Sequence, residues 1–145
     1  MNTQGECPGL GASAPSGREG NCWLWLAQSL YQRIYCNMKK EQEHTLNAIR
    51  ECLAKNMPSG GKARLFGSQA RGTARDDSDW DILVILDKDQ LLPSDYDNVT
   101  YPLTELGWDL GKEINPVMYS AKEWQKYKIT PFYKNVEKEG VRLWG

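Results

Sequence analysis

The sequence predicts an α/β fold of the α+β kind, a small mixed β-sheet flanked by helices. Apolar residues recur at helical intervals in several segments, and short apolar or β-branched runs lie between those segments. The connections are too short to hold a further domain. The strongest strand candidate, Trp80–Leu86, is apolar almost throughout, as a strand covered on both faces is.

The first 21 residues are dominated by Gly, Ser, Ala, Pro and Asn, and bury too little apolar surface to offset ordering the backbone. Residues 22–37 carry Trp23, Trp25, Leu26, Leu30, Tyr31 and Ile34 at a spacing that suits a short amphipathic helix, without chemical groups. Residues 1–37 are therefore read together as a disordered extension, attributable to a start assigned upstream of Met38, and residues 38–145 as the domain. N-terminal sequencing of the native protein tests that boundary.

From Met38 the spacing of Leu46, Ile49, Leu53 and Met57 predicts a helix that Pro58 and Gly60-Gly61 end. Residues 62–67 form a first strand candidate, before Trp80–Leu86. Tyr96, Val99, Leu103, Leu106 and Leu110 keep helical spacing, with Pro102 forcing a kink or a fresh start and Gly111 a stop. Residues 114–119 read as a third strand, placed at an edge or bulge by Pro116. Ser120 with Glu123 forms a capping box, and Thr130-Pro131 opens a last short helix closed by Gly140.

Eighteen basic and nineteen acidic side chains give a formal net charge of −1, so no global field recruits nucleic acid or anionic membrane. The four cysteines form no Cys-x-x-Cys pair, which leaves zinc spacing absent and free thiols in a reducing cytoplasm as the expectation. No apolar run reaches the length of a membrane span.

The chemistry concentrates in GSQARGTARDDSDWDILV, residues 67–84. Side chains of a strand alternate faces, so Asp79 and Asp81 point one way, with Trp80 opposite, at a Cα separation of roughly 6.5–7 Å. Two converging carboxylates repel unless a divalent cation removes the penalty, and hard oxygen donors favour Mg²⁺ or Mn²⁺. Gly67 lets backbone approach a ligand closely, and Ser68 offers a hydroxyl and nearby N–H groups to a phosphate. An EF-hand fails because Ile82 stands where glycine is required and Lys88 where glutamate belongs. The glycines before Lys62 lack the rest of a P-loop. His44, the only histidine, reads as a solvated helix residue, and the carboxylates from Asp87 to Asp97 as a solvated loop. Trp108, Trp124 and Trp144 read as core or partner-facing surface.

Gly67-Ser68, ten residues, then Asp79-x-Asp81 resembles the signature of the polymerase-β-type nucleotidyltransferases. With Ala70-Arg71-Gly72, Ser78 and Ile82-Leu83-Val84, the string is similar to their smallest members, the minimal nucleotidyltransferases. The resemblance implies the polymerase-β-like fold and attack by a hydroxyl on the α-phosphate of a nucleoside triphosphate, ATP above all, with Mg²⁺ or Mn²⁺ as cofactor. It implies that Gly67 and Ser68, with Arg71, bind the nucleotide phosphates, and that Asp79 and Asp81 hold the metal and are catalytic. A third acid of the family is replaced here by Asn115, whose amide can ligate a metal but cannot act as a base. The resemblance further implies a HEPN-domain toxin as protein partner, neutralised by nucleotidylation or by contact alone.

Overall fold

The computed structural model describes residues 22–145 as secondary structure and connecting loops. The tail expected over residues 1–21 lies outside the described residues. The chain divides into two compact units, one ending at His44 and the other Thr45–Gly145. Helix α1, Cys22–Asn56, supplies the described part of the first unit and the opening turns of the second. The extension expected over residues 1–37 is thus helical from Cys22, in one run with the helix expected from Met38, because no Gly or Pro interrupts residues 22–56. In the first unit Leu26, Leu30 and Tyr31 are exposed.

The second unit is built on a four-stranded mixed sheet in the order β3-β2-β1-β4. Strand β1, Lys62–Phe66, runs antiparallel to β2, Trp80–Leu86, with Phe66 opposite Asp81. Strand β3, Ile114–Ser120, lies parallel to β2 and places Asn115 beside Asp81. Pro116 sits on this edge strand, where a missing N–H costs least. Strand β4, Val141–Trp144, pairs antiparallel with β1 on the other edge, with a register shift at Ala63/Arg64. The sequence pattern assigns no element to that last segment.

Alternation along the strands sorts the core into two layers. Trp80, Ile82, Val84 and Leu86 of β2 meet Ala63 and Leu65, and α1 covers them with Ile49 and Leu53. Thr45, Ile49 and Leu53 share the buried helix stripe at four-residue spacing. On the opposite face Leu83 packs with Trp124 and Val136, supported by Phe66, Phe132 and Tyr133. Trp124 comes from α5, Ala121–Lys126, and Phe132, Tyr133 and Val136 come from α6, Pro131–Glu139, whereas Phe66 ends β1.

Local signals position the elements. Ser120 accepts from the Glu123 N–H while Glu123 accepts from the Ser120 N–H, and Thr130 caps α6 through the Tyr133 N–H. The segment after β2 is irregular: a short helix α3, Pro93–Asp95, passes through a π-helical turn, Tyr96–Thr100, into α4, Tyr101–Leu110. Pro102 lies in the first turn of α4, where its missing N–H is harmless. Gly111 ends the helix with a left-handed φ of 63°. Contrary to the solvated loop expected over Asp87 to Asp97, Asp95 is buried. Its carboxylate accepts from Lys88 at 2.5 Å and from the Leu92 N–H at 2.8 Å, partners that replace its lost hydration.

Candidate active site

The site lies at one end of the sheet, where β1 runs out and β2 and β3 begin. Strand β1 passes directly into α2, Gly67–Arg71, a single short turn of helix. Gly67 stands at the junction with φ +76°, a conformation that L side chains rarely adopt. A β-carbon there would overlap Oδ2 of Asp81. The glycine of the motif therefore serves two ends: it makes the strand-to-helix turn and brings the backbone beside the second aspartate. Ser68 follows, half-buried, its carbonyl accepting the N–H groups of Gly72 and Thr73.

The return loop is tied to α2. The Gln69 side-chain amide donates to the Ser78 carbonyl at 3.2 Å, and the Ser78 hydroxyl accepts from the Arg75 N–H at 2.8 Å. These bonds deliver Asp79 to the head of β2. Asp79, Asp81 and Asn115 then converge: Asn115 Nδ2 donates to Asp79 Oδ2 at 3.3 Å, and the register of β2 with β3 sets Asn115 opposite Asp81. A neutral amide thus stands beside the paired carboxylates and donates to one of them without adding charge.

Burial raises the Asp81 pKa above the ordinary aspartate value, and the Asp79 charge raises it further. The Asn115 hydrogen bond and the Arg71 charge work in the opposite direction. Arg71 ends α2, half-exposed, and its guanidinium also meets Glu139 of α6 at 3.6 Å. Glu139 escaped the sequence reading because nothing local marks a partner so distant in the chain. Glu113 precedes β3, exposed, and its carbonyl accepts the Trp80 N–H. Among the described residues no group of three or more His, Cys, Asp or Glu side chains comes together to hold a metal. The metal donors that converge are the two carboxylates, hard oxygen donors of the kind Mg²⁺ or Mn²⁺ takes, with the Asn115 amide beside them presenting its N–H to Asp79. Water and a nucleotide phosphate would have to complete the coordination.

The sequence model of the nucleotidyltransferase domain matches residues 46–143, nearly the whole second unit. The chain belongs to the nucleotidyltransferase family. No curated protein matches it. Among solved structures, a chain of a toxin–antitoxin complex crystallised with AMP-PNP is 26% identical, with a TM-score of 0.51 over 69% of this chain and 73% of that one. A mutant of the MntA–HpeT toxin–antitoxin is 22% identical, TM-score 0.49, over 69% and 72% of the two chains. This nucleotidyltransferase therefore has the mixed α/β fold expected from its sequence.

Proposed function

We propose that this nucleotidyltransferase transfers a nucleotidyl group, AMP from ATP, to a hydroxyl of a macromolecular acceptor in a Mg²⁺-dependent reaction in the cytoplasm. The observation that carries the reading is the convergence of Asp79 and Asp81 opposite Gly67-Ser68 at the end of one sheet. The acceptor oxygen bonds to the α-phosphorus as the bond to the bridging oxygen of pyrophosphate breaks. Asp79 and Asp81 would hold Mg²⁺ or Mn²⁺, with Asn115 contributing at most an amide oxygen. The metal, when bound, neutralises the charge that builds on the phosphate oxygens. Gly67 and Ser68 bind phosphate through backbone and hydroxyl, and Arg71 supplies positive charge beside Asp81. Asn115 cannot take the acceptor proton, so that proton leaves to solvent or to phosphate.

The similarity to a toxin–antitoxin chain crystallised with AMP-PNP supports an antitoxin role against a protein toxin, with a HEPN-domain toxin as the partner implied by the resemblance of the motif. A second reading, a non-catalytic module that retains the fold and neutralises its partner by contact, is favoured by one observation. Asn115 lies beside Asp79, at the position where the resemblance implies a third carboxylate. Incubation with labelled ATP and Mg²⁺, with and without the co-expressed partner, separates the two. Label on protein that disappears in Asp79→Ala/Asp81→Ala supports transfer. Absence of label despite tight partner binding would favour the contact module.

A further inference from the structure

We propose that the outward face of α4 is a docking surface for a basic protein segment. Trp108 is 68% exposed and Tyr101 52%, whereas Trp80 and Trp124 are almost fully buried in the core. The two exposed rings meet edge to face, centroids 6.3 Å apart at 87°, across two turns of the helix. Leaving such rings in water forgoes the large apolar area that an aromatic side chain buries when packed. Paired and fixed on a helix, they form the kind of anchor on which protein interfaces concentrate their binding energy.

Charge on this face identifies the occupant. Glu105 and Asp109 lie on the same stripe as Tyr101 and Trp108 by helical spacing, and Asp97 is exposed one turn earlier. Between Pro93 and Leu110 the chain has no lysine or arginine, although it carries 18 elsewhere. Guanidinium and ammonium groups stack on aromatic faces and pair with the flanking carboxylates, so a basic amphipathic helix fits both features. An acidic face repels nucleic acid and anionic membrane. The surface deepens the proposed function and rests on its reading that the chain works against a protein partner. It lies on a different element from Asp79 and Asp81, so docking and transfer can fail separately.

The test uses the full chain and a labelled helical peptide of about 18 residues, arginine and leucine at i, i+4 spacing, with a glutamate-for-arginine peptide as control. Trp108→Ala weakens binding of the basic peptide about tenfold or more, Glu105→Lys/Asp109→Lys abolishes it, and Trp108→Phe retains most of it. Circular dichroism confirms that each variant is folded. Equal binding by wild type and Trp108→Ala, equal binding of both peptides, or failure of the basic peptide to bind overturns the proposal. Trp108-dependent binding to phosphatidylcholine vesicles in place of the peptide also overturns it. Labelling from ATP is read in parallel on the same protein variants, with the co-expressed partner present as acceptor. Normal labelling with Trp108-independent peptide binding removes only the surface, and absent labelling with Trp108-dependent binding removes only the transfer reading.

Discussion

Gly67 and Asp81 occupy each other's space: the room a β-carbon would need at Gly67 is taken by the Asp81 carboxylate. The left-handed backbone of Gly67 adds a second reason to exclude larger residues. Gly67→Ala is therefore expected to cost at least about 1–2 kcal/mol and to displace Asp81 from Asp79. Denaturant unfolding reads the first effect, and loss of any Mg²⁺-dependent nucleotide binding reads the second.

Asn115→Asp would place a third carboxylate beside Asp79 and Asp81. Without metal, like-charge repulsion lowers stability, by an expected ~1 kcal/mol or a Tm drop of several degrees. Added Mg²⁺ restores more stability to the variant than to the wild type. A thermal melt in EDTA and in Mg²⁺ checks this without reference to turnover.

The two aspartates with shifted pKa values pull stability in opposite directions with pH. Asp95 is held below the ordinary value of 3.8 by Lys88 and the Leu92 N–H. Its contribution is therefore complete above that value and is lost as the pH falls through the lower native value. Asp81 is raised, chiefly by burial, so its ionised form opposes folding once the pH exceeds its native value. Asp95→Asn should lower Tm at neutral pH, with a difference from wild type that shrinks in acid. Asp81→Asn should raise Tm at neutral pH in EDTA while abolishing the response to Mg²⁺. A Tm series over acid and neutral pH measures both.

Ser120 is fully buried and caps α5, and its hydroxyl also donates to the Asp89 carbonyl at 3.2 Å. Ser120→Ala is expected to cost about 1–2 kcal/mol, read by urea unfolding.

Much of this arrangement is legible in the sequence because the determinants are local. The apolar run of β2, the Ser120–Glu123 box, Pro116 on an edge strand and Pro102 at a helix start each state their own geometry. Strand alternation indicates the shared side of Asp79 and Asp81, although Asp79 lies one residue before β2 and is held there by the Gln69–Ser78 tie. What escaped depends on contacts between distant segments: the burial of Asp95 against Lys88, the pairing of β4 with β1, and Glu139 reaching Arg71. Asn115 is expected from the motif as a replaced acid, but its donation to Asp79 is not, because that contact exists only once β2 and β3 lie side by side.

The proposed chemistry requires Asp79 and Asp81 to bind the metal of a bound nucleotide. Calorimetric titration of a non-hydrolysable ATP analogue, with Mg²⁺ and with EDTA, into wild type and Asp79→Ala/Asp81→Ala tests it most directly. The wild type is expected to bind in a Mg²⁺-dependent way and the variant at least about tenfold more weakly, a loss of 1.4 kcal/mol or more. Equal affinity of the two proteins in Mg²⁺, or binding by the wild type that Mg²⁺ does not alter, would contradict it.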